Sequence, residues 1–136
     1  MDLFFEVKNL FSNCLNQQDR YQKIIELGRV LTPLHPDYQI EGNIVKGCQS
    51  IVYLHSEIQD GKMYFSASSE ALISSGLAAL LIKAYNGHSP EFVLKSKPTF
   101  LEELQIFSSL SPSRSNGLAN MFLRMQQDAL KFLVAL

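Results

Sequence analysis

The sequence predicts an α+β domain, and three observations carry that reading. Apolar residues recur at helical intervals early in the chain and again over its last third. Between Gln49 and Ala67 the period drops to two, with one interruption at Asp60-Gly61. The chain has 136 residues, 46% of them hydrophobic, which is enough for one core and too short for two. Residues 1–136 are therefore expected to form one domain. A chain of this size buries roughly 65–70% of its unfolded surface and needs no disulfide or metal to hold it together.

The elements follow in order. Leu3, Phe4, Val7, Leu10, Phe11, Cys14 and Leu15 have helical spacing and one apolar face, which makes Cys14 a small buried hydrophobe. A second helix is expected from Asp19, as a cap, with Tyr21, Ile24, Ile25, Gly28 and Leu31 inward. Pro33 and Pro36 end it. From Gln49 to Ile58, Ser50, Val52, Leu54, Ser56 and Ile58 share one face of a strand. Asp60-Gly61 signals a type I′ turn, and Met63, Phe65 and Ala67 continue the returning strand. A short third strand is a candidate near Asn43–Val45.

Ser68 or Ser69 is expected to cap a central helix spanning 70–86, carrying Leu72, Ile73, Gly76, Leu77, Leu80, Leu81, Ala84 and Tyr85. Asn86-Gly87 closes it. Ser89-Pro90 opens a short helix, and Thr99 with Glu102 reads as a capping box for another. From Ser111-Pro112 a long amphipathic helix runs through Leu118, Met121, Phe122, Met125, Ala129, Phe132, Leu133 and Leu136.

Composition excludes several functions. A net charge of −1 is wrong for a sequence-blind nucleic-acid binder, so no nucleic-acid partner is expected. The two cysteines, Cys14 and Cys48, cannot by themselves build a zinc or iron–sulfur site. His35, His55 and His88 lack ligand spacing, and no phosphate-binding glycine loop or Cys-x-x-Cys appears. The longest apolar run, Leu77–Ile82, is six residues, against the ~18 that span a bilayer, so no membrane association is expected. The N-terminal residues lack a basic region before an apolar run, and a cytoplasmic protein without a signal peptide is the expectation.

Three polar constellations remain. In Val45-Lys46-Gly47-Cys48-Gln49-Ser50, Cys48 follows a glycine and precedes the strand, which places it in a loop. Such a thiol is either inert or, with a cation or helix N-terminus nearby, reactive. Ser111 to Gly117 combines hydroxyls, Arg114 and a helix start, and reads either as an anion-binding device or as an elaborate cap. Glu41-Gly42-Asn43 reads as a turn.

With these motifs in view, the chain resembles the SufE/CsdE family of sulfur acceptors over most of its length. The matching stretches are Arg20–Gly28, then Asn43, Val45 and Gly47-Cys48-Gln49-Ser50 with Val52, then Ser68–Ala71 leading to Gly76-Leu77, and Leu110–Leu118. The cysteine and arginine motifs, in that order and about 65 residues apart, make the match specific. Lys46 stands where the family often has proline, Tyr53 where it usually has tryptophan, and Ser68 where aspartate is frequent.

The resemblance implies a SufE/NifU-type fold, with a small antiparallel sheet against helices that include a long C-terminal one. It also implies a function in iron–sulfur cluster assembly. A pyridoxal-phosphate cysteine desulfurase of the SufS/CsdA type would hand persulfide sulfur to Cys48 and be stimulated by the exchange. Cys48 would then pass the sulfur to a scaffold such as SufBCD. The pyridoxal phosphate belongs to the partner, and no cofactor is expected here. A non-covalent allosteric activator and a cluster scaffold of the same fold are the alternatives.

Within that implied role, Arg114 is expected as electrostatic neighbour of Cys48, close in space although 66 positions away. Gly47 is expected to give the loop flexibility, and Gln49 and Ser50 to shape it by hydrogen bonds; Asn43 completes its support. The thiol is expected to face an apolar hollow walled by the hairpin and the start of the last helix.

Overall fold

The computed structural model describes residues 3–135; Met1, Asp2 and Leu136, the last member of the C-terminal stripe, lie outside that range. The architecture is α+β. A two-stranded antiparallel hairpin, β1 (Val52–Gln59) and β2 (Lys62–Ser69), packs against helices. Its register runs from Val52 opposite Ser69 to Gln59 opposite Lys62. The Asp60 and Gly61 φ angles of 53° and 77° are those a type I′ turn requires. Alternation holds as expected: Val52, Leu54, Met63, Phe65 and Ala67 are buried. The third strand reduces to one bridge between Ile44 and Tyr53.

Six helices surround the hairpin: α1 (Phe5–Asn9), α2 (Gln17–Arg29), α3 (Leu72–Tyr85), α4 (Pro90–Lys95), α5 (Phe100–Glu103) and α6 (Pro112–Val134). The central element is α3, which touches α1, α2, β2 and α6. Eleven of its residues are buried, so it is enclosed on nearly every side. Its crossing with α2 is close enough to demand glycine on both helices. A β-carbon on Gly76 would fall on the Ile24 carbonyl oxygen, and one on Gly28 would lie 2.6 Å from the Gly76 nitrogen.

The boundaries differ from the sequence reading for physical reasons. The first helix ends at Asn9, and the chain continues in tight turns in which Leu10, Phe11, Ser12 and Cys14 each bond three residues back. Phe4, Val7 and Phe11 stay buried, whereas Leu3 and Leu15 point outward. The cap of α2 is Asn16 rather than Asp19: Asn16 Oδ1 accepts the Asp19 N–H at 2.8 Å, and Asp19 Oδ2 accepts the Leu15 N–H at 3.0 Å. Tyr21 sits at the exposed rim of α2.

Neither Ser68 nor Ser69 caps α3. Ala71 holds that position, and Ser69 Oγ instead accepts the Ala71 N–H. Leu72, the first residue of α3, is exposed. Thr99 has helical dihedrals, so its hydroxyl makes no cap. Ser89 and Ser111 do cap α4 and α6 with their hydroxyls, as expected.

Candidate functional site

The segment carrying Cys48 leaves the core between two fixed posts. Val45 is buried and donates its N–H to the Val52 carbonyl at 2.9 Å. At the other end the Ile51 carbonyl accepts the Ser69 hydroxyl at 2.9 Å, and the Ser69 carbonyl accepts the Ser75 hydroxyl at 2.8 Å. The Ser68–Ala71 motif therefore ties the end of the cysteine loop to α3.

The loop lies along α6. Arg124, Asn120 and Gly117 fall three and four residues apart, on one face of that helix. Arg124 donates to the carbonyls of Gly42 (3.0 Å) and Ile44 (3.5 Å) and to Asn43 Oδ1 (3.3 Å). Its guanidinium is held by buried Asp128 at 3.0 Å, and the other Asp128 oxygen accepts the Ser56 hydroxyl of β1 at 2.6 Å. Asn120 Nδ2 donates to the Gly47 carbonyl at 3.0 Å. Gly47 has a φ of +82°, which favours glycine, and a β-carbon there would fall on the Asn120 amide.

Cys48 is half-buried, packs against the hydrophobic core and sets its Sγ 3.6 Å from the Gly117 carbonyl oxygen. Burial pushes its pKa up. A thiol proton aimed at a carbonyl favours the neutral form in the same sense. Arg114, expected as the electrostatic neighbour of this thiol, does not lower its pKa in the resting site. Arg114 Nη1 donates instead to the Ser74 hydroxyl of α3 at 3.2 Å, one helical turn before Gly117. Among the described residues no carboxylate pairs with Arg114. Its positive charge is thus balanced by no acid among the described residues. The Ser111 hydroxyl is taken by the Arg114 N–H at 3.3 Å, so the start of α6 carries a cap.

The supporting residues divide. Gly47 is constrained rather than merely flexible. Gln49 and Ser50 make no side-chain hydrogen bond among the described residues, so the loop is not shaped by them. Asn43 braces the chain before the loop: its Nδ2 donates to the Tyr38 carbonyl at 2.8 Å, and its Oδ1 receives Arg124. Asn120, Arg124 and Asp128 escaped the sequence reading. Their only signal was three polar side chains at helical spacing, which on a long amphipathic helix reads as a solvated face.

Beside the loop, Gln39, Ser50, Ile51, Tyr53, Ser68 and Glu70 line a groove of about 550 Å³. Among the described residues no three His, Cys, Asp or Glu side chains converge as metal ligands would, and no helix is long and apolar enough to cross a membrane. The thiol is thus half-sheltered against α6 at Gly117, one helical turn from Arg114.

The chain is similar to several known proteins. The family profile described as SufE, Fe-S metabolism associated domain, matches residues 5–129. An uncharacterized SufE-like protein of Synechocystis is 36% identical over 122 residues, covering 90% of this chain and 77% of the relative. SufE-like protein 1, chloroplastic/mitochondrial, of Arabidopsis thaliana is 35% identical over 126 residues, covering 92% of this chain but only 34% of that longer protein. The solution structure of a hypothetical protein from Thermus thermophilus superimposes with a TM-score of 0.76 at 26% identity, over 96% of this chain and 93% of the other.

Proposed function

The chain belongs to the SufE family of Fe-S metabolism associated domains, and from that premise we propose that it is a sulfur acceptor and carrier whose working atom is Cys48 Sγ. Its donor is a cysteine desulfurase that holds sulfur as a persulfide. The Cys48 thiolate attacks the outer sulfur of that persulfide. The sulfur–sulfur bond of the donor breaks, a new one forms on Cys48, and the donor cysteine leaves as thiolate and takes up the proton Cys48 lost. The exchange is redox-neutral and needs no cofactor on this chain. A scaffold thiol then repeats the step on the Cys48 persulfide.

One observation carries the reading: a cysteine in a short loop fixed at both ends, its thiol half-sheltered against α6. Shelter protects a persulfide from solvent and reductants, and fixed ends let the tip move while the fold stays intact. Arg114, unpaired with any acid among the described residues, is suited to meet the persulfide anion during transfer.

The test is intact-mass measurement after incubation with a cysteine desulfurase and cysteine. The expected result is the gain of one sulfur atom, lost on reduction and absent from Cys48→Ser. If Cys48→Ser still stimulates the desulfurase fully, the protein is an allosteric activator and the carrier reading fails.

A further inference from the structure

We propose that Asn120 is the positioning residue of the cysteine loop: by holding the Gly47 carbonyl it keeps Cys48 docked on α6 and sets how often the thiol is released. Its consequence for sulfur transfer rests on the function proposed above; the geometric claim does not.

The argument starts from where the chain is fixed. Arg124 grips the backbone at Gly42 and Ile44 and is itself locked by Asp128. Val45 is tied to Val52, and Ile51 to Ser69. Among the described residues, the stretch 46–50 makes only two hydrogen bonds to the rest of the chain. One is the long contact of the Cys48 thiol with the Gly117 carbonyl, a weak bond because sulfur is a weak donor. The other is the Asn120 amide on the Gly47 carbonyl.

The fit at that point is close. The Asn120 amide occupies the volume that any side chain at position 47 would need, and the left-handed turn at Gly47 aims its carbonyl along α6. The Asn120 side chain makes no other hydrogen bond among the described residues. A single neutral hydrogen bond near the surface breaks readily, whereas the Arg124 network, with its buried carboxylate, does not. Asn120 is thus the weak link that opens first, and its opening frees the residue next to the thiol.

The experiment compares wild type, Asn120→Ala and Asn120→Asp as full chains. Iodoacetamide alkylation is followed by peptide mass mapping, which reads Cys48 and Cys14 separately. Cys14 lies away from α6 and is the internal reference, because general loosening accelerates both thiols. The expected result is alkylation of Cys48 about five- to tenfold faster in both variants, the loss of one hydrogen bond, with Cys14 unchanged. The pH of half-maximal Cys48 rate should also fall toward that of a free thiol. Asp matches Asn in size but cannot donate; its negative charge also opposes ionisation of the nearby thiol, so the fall in half-maximal pH is read on Asn120→Ala alone.

Unchanged Cys48 rates, an equal acceleration of Cys14, or an Asn120→Asp rate equal to wild type would each overturn the proposal. Sulfur loading by a desulfurase is measured on the same proteins. If none loads while the alkylation ratio holds, the carrier reading falls and the clamp stands. If wild type loads while the alkylation rates do not differ, the clamp falls and the carrier reading stands.

Discussion

The ionisation of Cys48 gives the sharpest test of how the site works. Burial raises its pKa, so the pH profile of its alkylation should inflect above that of an unperturbed cysteine. At neutral pH the thiolate is then a smaller share of the population than in an unperturbed cysteine. Ionisation alone makes Cys48 slower than a free thiol. The greater nucleophilicity of a more basic thiolate recovers less than half of that on a logarithmic scale, since the Brønsted slope is about 0.4–0.5. Shelter against α6 slows it further. The competing idea is that Arg114 stabilises the resting thiolate. A guanidinium about 4 Å from a thiolate, at an effective dielectric of about 20, is worth about 4 kcal/mol, or roughly three pKa units. An effect of that size is easily seen. The assay is iodoacetamide alkylation of Cys48 from pH 6.5 to 10.5, on wild type and Arg114→Ala. The expected result is a high inflection in both, because burial sets the shift and Arg114 does not offset it. An inflection at or below pH 8 in wild type that climbs in Arg114→Ala would refute this reasoning and return Arg114 to the resting thiol.

Two further outcomes concern the frame that holds the site. Gly76→Ala places a methyl group on the Ile24 backbone, which cannot rotate away. The gain in helix propensity, about 1 kcal/mol, is outweighed by overpacking, and a net loss of about 2 kcal/mol lowers Tm by about 7 °C; calorimetry showing an unchanged Tm would mean that α2 and α3 part without cost. Tyr85 is fully buried, its hydroxyl donates to the Ser96 carbonyl at 2.6 Å, and burial drives its pKa far up. The unfolded phenol ionises near pH 10 and the folded one much higher, so its contribution is complete below pH 10 and is lost as pH rises above that. Tyr85→Phe should cost about 1 kcal/mol at pH 7 and lessen the alkaline loss of stability; urea titrations at pH 7 and 10.5 that show the same alkaline loss in both proteins would contradict it.

The features that sequence alone determined are those set by neighbouring residues. Asp60-Gly61 dictates its turn because both positions must take positive φ, and alternation then decides which face of the hairpin is buried. Ser89-Pro90 and Ser111-Pro112 start their helices through a hydroxyl and a ring a few atoms away. The position of Cys48 in a loop was legible for the same reason, whereas its association with Arg114, 66 positions away, came from the resemblance to the family.

What only the tertiary structure decided are the contacts made to backbone. Asn120 and Arg124 bind the carbonyls of Gly47, Gly42 and Ile44, and a carbonyl has the same chemistry whatever residue bears it. No spacing in the chain signals such a partner. The local cap of α2 slipped three residues because Asn16 and Asp19 are both competent caps, and the turns after α1 selected between them. The sign of the Cys48 shift was decided in the same way. An arginine in the motif suggests a lowered pKa, but burial against α6 raises it, and burial is a property of the packed fold.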